Sequence, residues 1–85
     1  MESRVLDGNA IGGLLLELFG TELTAAPCVC GNCGAREEMA RLDVYIDCPG
    51  VVVRCRHCTD VMIAIVRGPE RTWVDLRGTR QLELG

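Results

Sequence analysis

Six cysteines carry the clearest chemistry in this chain, and four of them form two C-x-x-C pairs. The pairs are separated by 21 residues, which is close to the spacing of four-cysteine zinc sites. Two residues between the cysteines of a pair allow both thiolates to face one ion at about 2.3 Å. A hairpin between the pairs brings its two ends together, and each pair would then lie at the same end. We therefore predict a structural Zn²⁺ site whose ligands are Cys30, Cys33, Cys55 and Cys58.

Two cysteines and the only histidine remain outside this ligand set. Cys28 and Cys48 complete no C-x-x-C pair, and although either can replace a ligand, the pattern favours small buried side chains for both. A disulfide between them is disfavoured in a reducing cytosol. His57 lies inside the second pair, and we expect its imidazole to point away from the metal, towards the surface.

The composition argues against catalysis. The chain contains one serine, Ser3, and one histidine, His57, far apart in sequence, and it contains no lysine. A Ser-His-Asp hydrolase would need both of these residues, and Schiff-base or P-loop chemistry would need a lysine. A closed four-cysteine zinc site also keeps no open position for water. We therefore expect a non-enzymatic protein that acts as a protein-interaction or adaptor module for an unidentified protein partner.

A thiol redox protein is one alternative, because C-x-x-C is also a redox motif. Thioredoxin-like sites place the first cysteine at the N-terminus of a helix, where its pKa is lowered. Here Gly34 and Ala35 follow the first pair, and a predicted strand follows the second. Two matched pairs also fit a metal better than a single dithiol.

A nucleic-acid or transcription-associated zinc ribbon is the other alternative, and the charge disfavours it. The formal net charge is -3, and four thiolates with one Zn²⁺ would bring it to about -5. Phosphate binding relies on positive charge, and single strands stack on aromatic side chains, of which this chain has three. A local basic patch stays open as a possibility, formed by Arg36, Arg54, Arg56 and Arg67.

The first 20 residues have the pattern of an amphipathic helix. Asp7 suits an N-cap, Gly20 suits the position that ends the helix, and apolar residues between them recur at helical spacing. Gly12 and Gly13 each weaken the first turns by about 1 kcal/mol relative to alanine. Leu16 falls beside the main apolar stripe. We expect the sheet to cover it, with a small docking patch for a partner as the alternative.

Strand patterns follow the helix. Residues 42–47 alternate between apolar and polar, and residues 51–53 continue as a second strand after the Pro49-Gly50 turn. Residues 61–66 are apolar on both faces, so we expect the central and most buried strand there. Residues 72–77 form the last predicted strand. The segment 35–40 is ambiguous, because its composition is helical and its neighbours favour extended chain.

These elements predict an α+β fold, with an N-terminal helix packed on a small antiparallel β-sheet that carries a four-cysteine zinc ribbon. We expect one domain over residues 1–85, comprising the helix (1–20), the zinc-ribbon sheet (28–78) and a loose tail (79–85). No cationic export signal and no run of ~18 apolar residues is visible, so we expect a cytoplasmic protein with no membrane span. The sequence leaves the oligomeric state open.

The order of several motifs resembles a family of short actinobacterial proteins of unknown function. The resemblance covers roughly residues 6–78 and rests on the motif at 6–10, the helix end at 18–20, the two C-x-x-C pairs and the motif at 72–78. It implies a zinc-ribbon-like protein, with no activity to transfer. The metal positions that match are Cys30, Cys33, Cys55 and Cys58, and neither Cys28 nor Cys48 belongs to the motif.

Overall fold

The computed structural model describes residues 5–47 and 50–84. It contains one α-helix, two 3₁₀ turns and eight strands. The elements in chain order are β1 (Val5–Asp7), a 3₁₀ turn (Gly8–Ile11), α1 (Gly12–Phe19), β2 (Pro27–Cys30), β3 (Arg36–Glu38), a second 3₁₀ turn (Met39–Arg41), β4 (Asp43–Asp47), β5 (Gly50–Arg54), β6 (Val61–Arg67), β7 (Thr72–Asp75) and β8 (Thr79–Leu82). One helix with antiparallel sheets confirms the predicted α+β class.

The larger sheet has five antiparallel strands in the order β1-β4-β5-β6-β7. The middle strand is β5, so the predicted central strand 61–66 lies one place from the centre, as the inner strand β6. The prediction that it is the most buried strand is confirmed, because three of its residues are buried. Met62 and Ile63 point to opposite faces of β6 and are both buried, because each face of the strand is covered. On one side the C-terminal chain crosses it, and Thr79 donates its hydroxyl to the Met62 carbonyl at 2.9 Å. Burial of both faces therefore shows that other parts of the chain cover the strand on both sides. It does not show that the strand lies in the middle of the sheet.

The smaller sheet has three strands in the order β3-β2-β8. The prediction of a loose tail over residues 79–85 was wrong, because Thr79–Leu82 forms strand β8. In this strand Leu82 pairs with Cys28 and Thr79 pairs with Cys30. The sequence of β8 is short and polar, so it forms through pairing with the buried strand β2 rather than through its own propensity. The ambiguous segment 35–40 divides between β3 and the second 3₁₀ turn.

The N-terminal helix is shorter than the predicted 1–20 segment. Val5–Asp7 pairs with β4 as a strand, and the α-helix begins only at Gly12. The carboxylate of Asp7 accepts the Asn9 amide at 3.1 Å, so Asp7 caps the 3₁₀ turn. Gly20 ends the helix with φ 73°, as expected of a C-terminal glycine. The helix starts late because Val5–Asp7 pairs with β4 and Gly8–Ile11 forms the 3₁₀ turn, whereas Gly12 and Gly13 lie within the helix itself.

One hydrophobic core contains residues of helix α1 and of both sheets. It contains thirteen buried residues: Ile11, Leu15, Leu23, Cys28, Cys30, Met39, Leu42, Val44, Val53, Cys55, Met62, Ile63 and Ile65. Leu14 and Leu18 of α1 pack against this cluster. Leu16, in contrast, is 49% exposed, so the expectation that the sheet covers it was wrong.

Candidate metal centre

The two C-x-x-C pairs are carried by different sheets. Cys30 is the last residue of β2 in the smaller sheet, and Cys33 lies in the turn after it. Cys55 follows β5 of the larger sheet, and Cys58 lies in the turn before β6. The four sulfur atoms nevertheless lie within 4.8 Å of one another. The antiparallel β4–β5 pairing accounts for this, because it returns the chain to the end of the molecule where the first pair lies.

The distances between the pairs fit a tetrahedral ion. The Sγ atoms of Cys30 and Cys58 are 3.7 Å apart, and those of Cys33 and Cys55 are also 3.7 Å apart. A regular tetrahedron with metal–sulfur bonds of about 2.3 Å has edges of about 3.8 Å. Four cysteine sulfurs at this separation form the donor set that Zn²⁺ prefers in structural sites.

The two turns that present the sulfurs have the same backbone conformation. The amide of Gly34 donates to the Cys30 carbonyl at 3.0 Å, and the amide of Thr59 donates to the Cys55 carbonyl at 2.9 Å. Both donors lie in the left-handed region, with φ 77° for Gly34 and φ 65° for Thr59. A β-branched residue such as threonine rarely adopts this conformation, so the second turn holds its shape against the preference of its own sequence.

Each sulfur accepts a hydrogen bond from the amide two residues further along the chain. The four donor–acceptor pairs are Asn32–Cys30, Ala35–Cys33, His57–Cys55 and Asp60–Cys58. The two bonds to the first cysteine of each pair are both 3.4 Å long. Amide hydrogens that point at sulfur stabilise the thiolate form, which is the form that binds metal.

The thiol pKa values differ within the cluster as well as outside it. The Ala35 amide favours the Cys33 thiolate, but burial and the neighbouring thiols of Cys55, Cys58 and Cys30 outweigh it and raise the pKa of Cys33 to about 11. Hydrogen bonds from the Asn32 side chain and the Asp60 amide lower the pKa of Cys58 to about 6. Burial raises the pKa of Cys28 to about 11, so Cys28 is a neutral thiol near pH 7. It is free, fully buried and outside the sulfur cluster, as expected of a small apolar side chain. Cys48 lies outside the described residues.

Contacts distant in sequence brace both turns. The imidazole of His57 lies outside the sulfur cluster, half-exposed, and its Nε2 is 2.8 Å from Glu37 Oε2. This contact ties the second turn to β3. Arg54 donates to the Thr59 carbonyl at 2.9 Å and stacks over the Tyr45 ring, with 5.6 Å to the ring centroid.

The first turn is braced by the C-terminal chain. The Gly31 amide donates to the Gly78 carbonyl at 2.8 Å, immediately before β8. A Cβ at Gly78 would clash with the Val61 carbonyl, so glycine allows the chain to cross β6 at this point. Sequence reasoning missed Gly78, Glu37 and Asn32 as supports of the site. Only Asn32, which lies inside the first C-x-x-C pair, offered a local signal. Glu37 and Gly78 support the site through partners that are distant in sequence.

The arginines that were candidates for a basic patch have other partners. Arg36 pairs with Glu83 at 3.0 Å, and Arg67 pairs with Glu17 at 3.3 Å. Arg54 donates to the second turn, which leaves Arg56, an exposed residue between two of the clustered cysteines. The acidic partners reduce the local positive charge that nucleic-acid binding would use.

Within the described part of the chain, no helix is long and apolar enough to cross a membrane.

Comparison with known proteins gives one match. No curated protein and no solved structure matches the sequence. A family model described as a family of unknown function (DUF6510) matches residues 1–85. The chain therefore belongs to the DUF6510 family, whose function is unknown.

Proposed function

We propose that this protein binds one Zn²⁺ ion through Cys30, Cys33, Cys55 and Cys58, and that the ion is structural. The observation that carries the proposal is the cluster of four sulfurs, all within 4.8 Å of one another. Its spacing fits tetrahedral zinc, and an amide hydrogen bond to every sulfur favours the thiolate. The zinc-ribbon character and actinobacterial origin implied by the resemblance stay predictions.

The position of the cluster gives the ion a structural task. The first pair of cysteines lies at the end of β2 in the smaller sheet. The second pair lies in the turn that joins β5 to β6 of the larger sheet, so the ion would link the two sheets. A chain of 85 residues buries a small core and gains from such a staple. Binding free energy at a site of this kind is also folding free energy, because the unfolded chain has no preformed site.

We further propose that the protein is not an enzyme. Four cysteine ligands complete the tetrahedron, so no position is left for a water molecule or substrate on the metal. Cys30 and Cys55 are buried, which further restricts access to the ion. The cytoplasm suits the site, because clustered thiols stay reduced there and bind metal.

A protein-interaction or adaptor module is the role that fits these features best. Several large apolar side chains are exposed, among them Leu16, Trp73, Leu76 and Leu84. Such side chains can contribute to protein interfaces, and tryptophan in particular is enriched where interfaces are tightest. The acidic net charge of -3 disfavours nucleic acid as the partner.

Metal analysis of protein purified without chelator tests the proposal. We expect one zinc per chain and slow alkylation of the four cysteines in the native protein. A chain without zinc, whose C-x-x-C thiols are alkylated rapidly, would support a thiol redox protein instead. The interaction role is tested by affinity capture from the native host, which should recover a specific protein in stoichiometric amount. Recovery of nucleic acid at low ionic strength would contradict it.

A further inference from the structure

Strand β7 (Thr72–Asp75) forms an open edge of the larger sheet. It pairs with β6 on one side and has no second strand partner among residues 5–47 and 50–84. Trp73 is 57% exposed and Val74 is 37% exposed. Soluble proteins usually protect such edges with lysine, proline or a bulge. Strand β7 is short, with four residues, and ends in Asp75, but it has no lysine, proline or bulge, so its backbone edge is open to pairing with a second short strand.

The turn before β7 shows which backbone groups of the strand face outward. The Gly68 amide donates to the Arg71 carbonyl at 2.7 Å, so these two residues form a hydrogen-bonded pair. Such pairs alternate along an antiparallel ladder, so the backbone groups of Trp73 also bond inward to β6. It follows that the amide and carbonyl groups of Thr72 and Val74 point away from the sheet.

The sequence of this edge is complementary to itself. If a second β7 runs antiparallel with the two Trp73 residues opposite each other, Thr72 of each chain exchanges backbone hydrogen bonds with Val74 of the other. In the same register Arg71 of each chain lies opposite Asp75 of the other, giving two pairs of opposite charge. Opposite charges directly across a pair of strands stabilise it.

Charge also disfavours the alternative register that is centred on Val74 instead of Trp73. Pairing centred on Val74 would bring Arg71 of one chain opposite Arg77 of the other, and like charges in this position are destabilising. Asp75 already accepts hydrogen bonds from Arg77 within its own chain, with the shortest contact at 2.7 Å. A carboxylate has acceptor sites for two guanidinium groups, so this contact leaves room for Arg71 of a second chain.

We propose that two copies of this chain associate through their β7 edges into a continuous ten-stranded sheet, with Trp73 on the two-fold axis. The same surface of each copy takes part, which is the usual form of a symmetric dimer. The two indole rings would lie at the non-hydrogen-bonded position of the ladder, where side chains approach most closely. The interface lies on an edge formed by β7 and is independent of the proposed role of zinc.

Sedimentation velocity of the zinc-loaded full chain tests the dimer. We expect the mass to rise from 9.3 kDa to twice that value as the concentration increases to about 200 µM. Trp73 is the only tryptophan, so its emission should shift to shorter wavelength over the same range. A zinc-loaded chain that stays monomeric throughout would overturn the proposal.

A charge exchange tests the register. Arg71→Asp and Asp75→Arg should each weaken association at least tenfold, whereas the double variant, which restores both pairs, should return to within about threefold of wild type. Val74→Pro removes an outward amide and should abolish the dimer. Zinc content, measured for each variant, should stay at one per chain. A dimer that survives Val74→Pro, or a double variant no better than the singles, would contradict this interface. Binding of an extended peptide to β7 in place of a second copy would do so as well.

Discussion

At the scale of single residues, the site consists of two copies of one turn with unequal sequences. The C-x-x-C spacing is a local signal, so the sequence alone predicted the four clustered cysteines. Gly34 permits the left-handed conformation that its turn requires, while Thr59 adopts the equivalent conformation without glycine. No sequence rule predicts a β-branched residue there, because the surrounding hydrogen bonds impose the conformation.

Two glycine substitutions should therefore have opposite effects. We expect Gly34→Ala to lower the free energy of unfolding by about 1 kcal/mol, because an alanine at φ 77° is strained even though its Cβ meets only the Arg80 side chain. Gly13→Ala is the matched control. Its Cβ meets nothing within 4 Å, and helical alanine should raise the stability by about 0.5–1 kcal/mol. Urea unfolding of the zinc-loaded variants measures both, and a stabilised Gly34→Ala would contradict the turn geometry.

The pKa of Cys58 makes zinc retention sensitive to acid. Without the ion, this pKa is lowered to about 6, first by the Asn32 side chain and then by the Asp60 amide, so protons compete with zinc for the Cys58 sulfur as the pH falls through this value. Asn32→Ala removes one donor and raises this pKa. The pH at which half the zinc is released, followed with a chromogenic chelator, should move upward. An unchanged or lower midpoint would show that Asn32 does not support the site.

At the scale of elements, strands with a visible local pattern were predicted from the sequence, whereas strands that depend on pairing with a distant segment were not. The β4–β5 hairpin was predicted because its apolar alternation is visible in the sequence. Strands β1 and β8 were missed, since each is short and is fixed by a distant partner. The helix was predicted too long for the same reason, because pairing with β4 takes its first residues into the sheet.

Strand β8 should be necessary for the metal site. Removing residues 79–85 deletes the strand that pairs with Cys28 and Cys30, so we expect the unfolding midpoint to fall by more than about 10 °C and zinc to bind more weakly. Removing only residues 84 and 85 is the control, because Leu84 is exposed and the deletion should cost less than about 2 °C. Equal stability of the two truncations, measured by thermal unfolding, would favour the loose tail expected from the sequence.

At the scale of the whole molecule, the cysteine cluster links two sheets around one small core. The cysteine cluster was predicted from the sequence, but the presence of two separate sheets was not. The smaller sheet depends on the pairing of β2 with β8, which are distant in the chain. Four thiolates and one Zn²⁺ would bring the net charge from -3 to about -5. A zinc-loaded chain would therefore be acidic, and the proposed partner would contact its exposed apolar side chains rather than a basic surface.

Comparison of Cys33→Ala with Cys28→Ala tests the central claim most directly. Cys33 is exposed and Cys28 is fully buried, so packing alone predicts that Cys28→Ala is the more harmful change. If the cluster holds structural zinc, Cys33→Ala should lose the metal and lower the unfolding midpoint by more than about 15 °C. Cys28→Ala should keep one zinc per chain and lose only about 4–8 °C. A Cys33→Ala protein that unfolds at the wild-type temperature, with Cys28→Ala the less stable of the two, would contradict the structural zinc site.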